Sequence, residues 1–347
     1  MSRVMVAMSG GVDSSVAAAL LARDGHDVVG VTMKLWGGES DSGCCSVSDV
    51  DDARRVAQQL GIDHHVFNFG DDFEEFVVAP YVADHVAGRT PNPCVECNRH
   101  LKFDKLLRRA DALGFDLVAT GHHARRVPHG SGHRIARGAD AAKDQSYVLY
   151  PLVGAALDRT LFPLGDMTKD EVRRLAGEVG LRTANKPDSQ DVCFITRAQG
   201  RSSFLGNRIP LRQGRVVDTA GTELGTIDAV ELVTIGQRRG LDVGGPGGRR
   251  YVIGVDGPTA TVTVGTAEDL LADGVEVTDL VWAGAPMGGR LGVQCSAHGA
   301  VCEADITVVD ESDVSIRWAQ PQRRIAPGQS VVLYEGDEVV GGGIVTG

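Results

Sequence analysis

Residues Val4–Leu21 read VMVAMSGGVDSSVAAALL. The apolar run Val4–Met8 is typical of a short buried strand, and the run Val16–Leu21 is typical of a buried helix face, with a glycine turn between them. A strand, a glycine turn and a helix in this order direct backbone N–H groups and the positive end of the helix dipole toward one point. The segment therefore predicts a cradle for an anion such as phosphate or pyrophosphate.

The loop Ser9–Ser15 lacks the Gly-Lys-Ser/Thr ending of the common phosphate loop. Without that lysine, simple phosphoryl transfer is disfavoured, and an ordinary strand-turn-helix connection is the competing interpretation. The sequence Ser-Gly-Gly-x-Asp-Ser-Ser instead resembles the PP-loop of ATP pyrophosphatases, a superfamily that cleaves ATP between its α and β phosphates and often adenylates a carbonyl oxygen. The resemblance implies that Asp13 helps to bind Mg²⁺, and that pyrophosphate is held by Ser9, Gly10, Gly11 and Ser14.

The composition is that of an ordinary globular protein. The 347 residues are 42% hydrophobic and 23% charged, which leaves room for two or three domains. No apolar run is long enough to span a bilayer, and the seven cysteines fit a reducing compartment better than a disulfide framework, so we expect a cytoplasmic protein without a membrane partner. The net charge of −11 argues against indiscriminate nucleic-acid binding. Residues 197–250 nevertheless hold nine Arg against five Asp or Glu, which predicts a local basic face.

Strand-like and helical runs alternate in the first part of the chain, and this alternation predicts a parallel sheet covered by helices. Thr168 and Glu171 form a capping box that predicts a helix running to about Val179. The other runs are strand-like at Val4–Met8, Val28–Met33, His65–Phe69 and Phe115–Thr120, and helical at Ser15–Arg23, Ser48–Leu60 and Asp71–Val86.

Short strand-like stretches with glycine turns follow residue 200, and barrel-like strand spacing follows residue 270. The predicted fold class is α/β: an N-terminal PP-loop parallel-sheet domain, similar to the adenine nucleotide alpha hydrolases, with a small β-rich central domain and a C-terminal β-barrel. The expected boundaries are 1–200 for the PP-loop domain, 201–270 for the central domain and 271–347 for the barrel.

The cysteines divide into candidates for chemistry and candidates for packing. Cys94 and Cys97 form a Cys-x-x-Cys pair just before a helix predicted to run through Leu101 and Leu107, and the N-terminus of that helix would stabilise a thiolate. Cys193 follows in a polar loop that could reach them. A zinc knuckle would need two further ligands, which do not follow at the usual distance, and a lone cysteine such as Cys193 is most often a small buried hydrophobe. The same packing interpretation is kept for Cys44, Cys45, Cys295 and Cys302.

Several motifs along nearly the whole chain together resemble one family of the PP-loop superfamily, the tRNA-specific 2-thiouridylases. Each motif alone is weak, but the combination is highly specific. Besides the PP-loop, they are Val31–Lys34, Asn92-Pro93 with Cys97-Asn98, Thr120–His122, Lys143–Tyr147, Cys193–Ile195, Thr234–Arg238 and Pro327–Ser330.

The resemblance implies an enzyme, a tRNA-uridine 2-sulfurtransferase that thiolates C2 of the wobble uridine, position 34, in tRNAs for Lys, Glu and Gln. ATP with Mg²⁺ would adenylate the C2 oxygen, and AMP would leave as sulfur arrives from a donor such as a cysteine desulfurase or a sulfur-relay protein. This order is chemically sensible, because a urea-like carbonyl is a poor electrophile until its oxygen is activated, and a persulfide is a soft nucleophile. The base would have to flip into a pocket.

The resemblance also implies roles for individual residues. Cys193 would carry the persulfide, Cys97 would release the sulfur or close a disulfide, and Asp13 would serve catalysis through the metal. ATP would contact Ala7, Met8, Ser9, Gly10, Gly11, Val12, Asp13, Ser14, Met33 and Gly121. The tRNA would contact Asn92, Pro93, Cys94, His122, Lys143, Asp144, Gln145 and Gln329. Residues 1–200 would form the catalytic domain and residues 201–270 a central tRNA-binding domain.

The chain departs from the family pattern at two places. Many relatives have Asp where this chain has Cys94, so a general-base role is not carried over. Cys94, Cys97 and Cys193 would alternatively hold a [4Fe-4S] cluster with one open iron, and this route competes with the persulfide. An Arg-Tyr pair expected to contact tRNA aligns with Ser296-Ala297, which removes the basis for that contact.

Two other functions remain open from the sequence. A PP-loop ligase or synthetase, such as those that make NAD or lysidine, would use the same ATP site without Cys97 and Cys193. A nucleotide-gated RNA-binding protein would bind tRNA with a steep salt dependence and would form no AMP.

Overall fold

The computed structural model describes residues 1–35, 47–188, 192–195, 200–241 and 249–346. Within these ranges no helix combines the length and the apolar character needed to cross a bilayer. The chain divides into two compact units. Unit 1 comprises Met1–Val77, Cys94–Thr196 and Gly336–Val340, and unit 2 comprises Val78–Pro93, Arg197–Glu335 and Gly341–Gly347.

Unit 1 is built on a parallel sheet, as the alternating pattern predicts. Its first elements are β1 (Arg3–Ala7), α1 (Val12–Arg23), β2 (Asp27–Lys34), α2 (Val47–Leu60) and β3 (Asp63–Asn68). Strand β1 pairs with β2 on one side and, on the other, with β4 (Leu117–Ala119). The sheet order is β3-β2-β1-β4-β7, where β7 is Thr160–Leu161. Strands β2 and β3 lie on one side of β1, and strands β4 and β7 lie on the other, so the strand order reverses at β1. The carboxyl end of β1 is therefore the switch point at which α/β sheets bind ligands.

The core of this unit explains why α1 lies where it does. The helix presents small buried residues, among them Val16, Ala17 and Ala18, to the apolar side chains of β1 such as Val4 and Val6. Small side chains let a helix approach a sheet closely, and burial of this surface stabilises the pair by roughly 25 cal/mol per Å². The start of α1 is thereby held against the end of β1.

The segment predicted as one helix over Asp71–Val86 is divided into α3 (Gly70–Phe73), a π-helical turn Glu74–Val78 and α4 (Ala79–Val86). Pro80 lies in the first turn of α4 and has no N–H to continue the α-helical ladder. The backbone therefore changes its hydrogen-bond spacing just before the proline.

A second helix also changes spacing. It runs through α5 (Pro93–Glu96), the π-helical segment Cys97–Lys105 and α6 (Leu106–Ala112). The prediction placed Cys94 and Cys97 before this helix, and that was wrong. The helix begins at Pro93, because proline is pre-organised for the first helical position, so Cys94 lies in the first turn and Cys97 in the second.

Unit 1 also contains a hairpin, a 3₁₀ turn and two further helices. The hairpin β5 (Ala124–His129) and β6 (Gly132–Arg137) was not predicted, because its strands are rich in arginine and histidine and lack an apolar alternation. The other elements are the 3₁₀ turn Ser146–Leu149, α7 (Gly154–Asp158) and α8 (Lys169–Glu178), and α8 packs on α1.

Unit 2 contains α4, α9 (Gly200–Gly206), a small sheet and a closed ring of strands. The small sheet has the order β10-β11-β8-β9 and packs around Val216, Val252 and Val262. Its strands are β8 (Gly214–Val217), β9 (Glu223–Ile227), β10 (Tyr251–Asp256) and β11 (Thr261–Gly265), and Val230–Leu232 forms a 3₁₀ turn.

The ring of strands confirms the predicted barrel. Its order is β12-β15-β14-β13-β16-β17, and β12 pairs with β17 to close it. The strands are β12 (Leu271–Trp282), β13 (Gly289–Gln294), β14 (Cys302–Val308), β15 (Val314–Arg323), β16 (Ser330–Glu335) and β17 (Glu338–Val345). The α/β class, the β-rich centre and the barrel are thus confirmed, while the boundaries at 200 and 270 stay predictions.

Candidate active site

The PP-loop lies at the carboxyl end of β1. Gly10 has φ +73°, and a Cβ there would collide with the backbone carbonyl of Asp49, so the turn requires glycine. Gly11 occupies the N-cap of α1 in an extended conformation and has no side chain to cap the helix. The first N–H groups of α1 therefore remain for an anion to accept.

The serines of the loop fix its shape. Ser14 Oγ accepts a hydrogen bond from Ser9 N–H at 3.1 Å and donates to Gly11 O at 3.2 Å. Ser15 Oγ also donates to Gly11 O, at 2.8 Å. These bonds hold the loop in one conformation before any ligand binds, so less conformational entropy is lost on binding.

The sheet brings the other predicted ATP residues to the same edge. Ala7 pairs with Val31, two residues before Met33 on β2, and Gly121 follows the end of β4. A Cβ at Gly121 would lie 2.6 Å from the Ser14 backbone nitrogen, so this glycine packs directly on the loop. Residues from Ala7 to Ser14, Met33 and Gly121 therefore converge at the carboxyl ends of three adjacent strands.

The side chains of Lys169 and His123 hold Asp13 in place. Its carboxylate accepts hydrogen bonds from Lys169 Nζ at 2.7 and 2.8 Å and from His123 Nε2 at 3.2 Å. Burial raises the pKa of the Asp13 carboxyl, but the hydrogen bonds with His123 and Lys169 outweigh burial and lower the pKa below its ordinary value. The carboxylate is therefore ionised at neutral pH, as a Mg²⁺ ligand must be.

Lys169 is a residue that sequence reasoning missed. It is 8% exposed, and its ammonium also lies 2.9 Å from Asp188 Oδ1. Asp188 in turn accepts from Lys143 Nζ at 2.8 Å and from Arg173 at 3.1 Å. Burial raises the pKa of Asp188, but its bonds with Lys143 and Lys169 dominate and lower it strongly. The available sequence signal was a lysine at the first position of a capped helix.

A second lysine supports the loop from the other side. Lys186 Nζ donates to Gly10 O at 3.0 Å, to Asp49 at 2.7 Å and to Asp52 at 2.7 Å. Although the sequence lacks a phosphate-loop lysine, the tertiary structure places two ammonium groups against the PP-loop. Each ammonium is shared between two carboxylates, Asp13 and Asp188 for Lys169 and Asp49 and Asp52 for Lys186, so the lysines hold the surroundings of the loop in place.

The helix that carries Cys94 and Cys97 is anchored by polar and aromatic contacts. Cys97 is buried and Cys94 is half-buried. Asn98 donates from Nδ2 to Val148 O at 2.9 Å, and His100 stacks on Phe76 with ring centroids 4.9 Å apart. Cys97 thus lies at the start of an irregular helical segment of the kind that proteins place at functional sites.

Cys193 is half-buried, and the next residue, Phe194, packs into the protein interior. The Phe194 ring meets the buried Phe73 ring edge-on, with centroids 5.6 Å apart. Phe73 ends α3, which packs against the π-helical segment that begins at Cys97. The Cys193 side, through Phe194, and the helix that carries Cys97 therefore both pack against α3. Ser189, Gln190 and Asp191 of the predicted loop lie outside the described residues, as do Cys44 and Cys45.

The fit of a [4Fe-4S] cluster can be judged from the donor set. Among the described residues, no group of three or more His, Cys, Asp or Glu side chains is arranged to hold a metal ion. Cys94, Cys97 and Cys193 therefore do not form the three-thiolate set that such a cluster needs.

Two of the predicted tRNA residues of unit 1 are linked to the surroundings of Asp13: Gln145 binds His123, a partner of Asp13, and Lys143 binds Asp188, a partner of Lys169. Gln145 Oε1 accepts from His123 N–H at 2.9 Å, and Asp144 accepts from Arg137 at 2.8 Å and from Ser146 Oγ at 2.8 Å. His122 is 8% exposed, and burial, followed by the Lys102 charge, lowers its pKa well below the ordinary value, so its ring is neutral. Lys143 is the more exposed member of this group, with a side chain 41% exposed.

The other predicted tRNA residues, Asn92, Pro93 and Gln329, belong to unit 2. Gln329 Nε2 donates a short hydrogen bond to Thr90 O, and Thr90 N–H donates to Pro327 O at 2.7 Å. Gly328 has φ +87° and faces Thr90 closely. The Pro327–Ser330 motif thus supports the segment that leads to Asn92.

Family models match three parts of the chain. The model described as "tRNA methyl transferase HUP domain" matches residues 2–197, and the "tRNA methyl transferase PRC-barrel domain" matches residues 202–266. The "Aminomethyltransferase beta-barrel domain" matches residues 272–345. The first match alone covers more than half of the chain.

Curated relatives match along nearly the whole chain. The tRNA-specific 2-thiouridylase MnmA of Geobacter metallireducens is 45% identical over 98% of this chain and 96% of its own length. The proteins of the same name from Heliobacterium modesticaldum and Mycobacteroides abscessus are 46% and 47% identical, each over 99% of this chain and over 92% and 99% of their own lengths. The chain therefore belongs to the family of tRNA-specific 2-thiouridylases, enzymes that transfer sulfur to uridine in tRNA.

Proposed function

We propose that this protein converts the wobble uridine, position 34, of tRNAs for Lys, Glu and Gln into 2-thiouridine, in the cytoplasm and at the cost of ATP. The observation that carries the proposal is that Lys169 and Lys186 lie against Asp13 and the PP-loop, and that Lys169 also binds Asp188, five residues before Cys193 in the sequence. ATP activation and sulfur delivery would thus occur in one unit.

The first step is adenylation. The N–H groups at the start of α1, with Ser9 and Ser14, hold the β and γ phosphates. Asp13 would hold Mg²⁺, which would supply charge neutralisation for the leaving pyrophosphate. The uridine C2 oxygen attacks the α-phosphorus, and the bond from that phosphorus to the pyrophosphate oxygen breaks. Met33, Gly121 and the residues Ala7 to Ser14 would contact the nucleotide.

The second step delivers sulfur. The terminal sulfur of a Cys193 persulfide attacks C2, and the Cys97 thiolate attacks Cys193 Sγ, which breaks the S–S bond and leaves the sulfur on C2. AMP departs with the original C2 oxygen, and the protein is left with a Cys97–Cys193 disulfide. A cysteine desulfurase or a sulfur-relay protein supplies the persulfide sulfur, and a thiol reductant restores the two cysteines.

We further propose that tRNA contacts Asn92, Pro93, Cys94, His122, Lys143, Asp144, Gln145 and Gln329. Lys143 and Gln145 are partly exposed, whereas the buried Asp144 carboxylate and His122 ring would act mainly by shaping the surface. The arginines within residues 201–270 would add phosphate contacts from the central domain.

The test is a thiolation assay under anaerobic conditions with ATP, a persulfide donor and tRNA, with AMP and 2-thiouridine measured separately. Cys193→Ser and Cys97→Ser are expected to abolish 2-thiouridine and the AMP that leaves with it, while pyrophosphate release, which belongs to the adenylation step and is measured in the same assay, survives. Cys302→Ser, a cysteine on strand β14 of the barrel, is the matched control and keeps full activity.

Iron and labile sulfide are measured on the same wild-type and Cys94→Ala preparations. Full activity without iron supports the persulfide route. About four irons per protomer, with activity that depends on them, would overturn it in favour of the cluster. AMP formation that persists with an amine acceptor but yields no thiolation would point to a ligase, and binding of tRNA without AMP would point to an RNA-binding protein.

A further inference from the structure

A continuous chain of ion pairs runs from the PP-loop to Asp188, five residues before Cys193 in the sequence. Asp13 is joined to Lys169, Lys169 to Asp188, and Asp188 also to Lys143 and Arg173. We propose that Lys169 is a positioning residue that couples occupancy of the phosphate site to the Cys193 segment through Asp188. The inference rests on the proposed function, because it takes the PP-loop as the ATP site.

The Lys169 ammonium is shared between two carboxylates. Its Nζ lies 2.7 and 2.8 Å from the Asp13 oxygens and 2.9 Å from Asp188 Oδ1, and its side chain is only 10% exposed. Water cannot readily replace either partner at such a buried position, and an ammonium has three N–H groups to distribute. A change in the groups that bind Asp13 therefore changes the strength of the hydrogen bond between Lys169 and Asp188.

Binding of MgATP brings such a change. The phosphates add negative charge beside the loop, and Mg²⁺ competes with Lys169 for the Asp13 oxygens. Lys169 then has a new anion within reach, and its bond to Asp188 is weakened or released. Asp188 keeps two other cations, Lys143 at 2.8 Å and Arg173 at 3.1 Å, so it shifts its balance of partners without becoming unpaired.

Asp188 lies five residues before Cys193 in the sequence and Phe194 lies directly after it, and the two are anchored in different ways. Phe194 is 3% exposed and packs against Phe73, an apolar contact between two uncharged rings. Asp188 is anchored by ion pairs, which respond to charge directly. The environment of Cys193 is therefore expected to depend on the nucleotide through Asp188 and not through Phe194.

The experiment measures how fast iodoacetamide alkylates Cys193 in the full chain, followed by mass spectrometry of the Cys193 peptide, with no tRNA or sulfur donor present. Rates are compared without nucleotide and with saturating MgATP. In the wild type we expect the rate to change about fivefold or more on ATP binding. In Lys169→Met and in Asp188→Asn we expect the two rates to become equal, with ATP binding measured independently at saturation.

Two variants keep the test decisive. Asp188→Asn covers the case in which Lys169→Met fails to fold, because Asp188 has no bond to Asp13 and its loss leaves the Lys169–Asp13 pair intact. Arg173→Gln is the matched control: it removes a cation from Asp188 that does not touch Asp13, and it is expected to keep the nucleotide effect. Circular dichroism melts confirm that each variant is folded.

The outcomes separate this inference from the proposed function. A wild type that binds ATP with no change in Cys193 alkylation, or a folded Lys169→Met or Asp188→Asn protein that keeps the full change, overturns the coupling and leaves the thiolation proposal standing. A wild type that binds no ATP overturns both.

Discussion

Gly121 faces the PP-loop so closely that a Cβ on it would lie 2.6 Å from Ser14 N and 2.7 Å from Asp13 C. Both neighbours are backbone atoms, and they belong to the first turn of α1, so they cannot move aside as a flexible side chain would. The contact ties the end of β4 to the loop that would hold pyrophosphate.

Gly121→Ala is therefore expected to displace the first turn of α1. Overpacking of this kind costs about 1 to 3 kcal/mol of unfolding free energy. Displacement of the loop should also weaken ATP binding about tenfold or more, as measured by titration with labelled ATP. Gly177→Ala is the control, because a Cβ there meets nothing within 4 Å inside α8, and helix propensity should make it neutral or stabilising by about 0.5 to 1 kcal/mol. Equal ATP affinity in the two variants would contradict the steric argument.

Thr168→Ala should loosen the start of α8, where Lys169 is the first residue. Glu171 N–H donates to Thr168 Oγ1 at 3.3 Å, and Thr168 N–H donates to Glu171 Oε2 at 2.7 Å, so both halves of the predicted capping box are present. Loss of the capping box should lower Tm by about 2 to 4 °C, as measured by calorimetry. It should also reduce the change that MgATP makes to the alkylation rate of Cys193. Thr168→Ser retains the hydroxyl and should resemble the wild type; a similar loss in both variants would argue against the cap.

Glu231→Gln should destabilise unit 2 by about 1 to 3 kcal/mol in thermal or urea unfolding. Glu231 is 2% exposed and accepts from Arg212 N–H at 3.0 Å and Arg212 Nε at 2.7 Å. Burial raises the pKa of Glu231, but the bonds from Arg212 prevail and lower it below 4.5. A lowered carboxyl pKa adds stability above the unfolded pKa, and this stability is lost as pH falls through the folded pKa.

The difference between the wild type and Glu231→Gln should therefore shrink below about pH 4.5. Glu303→Gln is the control in the same unit, because the Arg290–Glu303 pair is 3.5 Å apart and both side chains are well exposed. No measurable change is expected from that exposed pair. An equal loss in both variants would refute the role of burial.

Cys295 should be the slowest of the barrel cysteines to react. Burial, together with the nearby Cys302 thiol, raises the pKa of Cys295 from 9.0 to about 12. At pH 8 it then holds about a thousandfold less thiolate than an ordinary cysteine. Iodoacetamide should label Cys302 before Cys295 in the folded protein and both in urea. Rapid labelling of Cys295 at pH 8 would contradict the raised pKa.

The raised pKa of Cys295 also makes the stability of the fold depend on pH in the alkaline range. A thiol pKa raised by folding contributes stability that is complete below the unfolded value of about 9 and is lost as pH rises through the folded value. The sequence interpretation placed Cys295 and Cys302 in the core without a partner; the hairpin that pairs Val293 with Cys302 brings them close to each other instead.

Much of the fold was predictable because its signals are local. The strands β1 to β4 follow from apolar runs, the start of α8 from the Thr168 and Glu171 pair, and the barrel from evenly spaced short strands. The hairpin β5–β6 was not predictable, because its polar strands are stabilised by pairing and by ion pairs such as Arg134 with Glu338, which lie 204 residues apart.

The sequence by itself determined the PP-loop, its position between a buried strand and a helix, and the identity of the thiols available for sulfur transfer, since each of these depends on neighbouring residues. Only the tertiary structure decided which charges surround that loop. Lys169 and Asp13 are 156 residues apart, and Lys186 and Gly10 are 176 residues apart. Their contacts exist because α8 packs on α1 and because a buried ammonium must find carboxylates or carbonyls, a requirement that no periodicity in the sequence expresses.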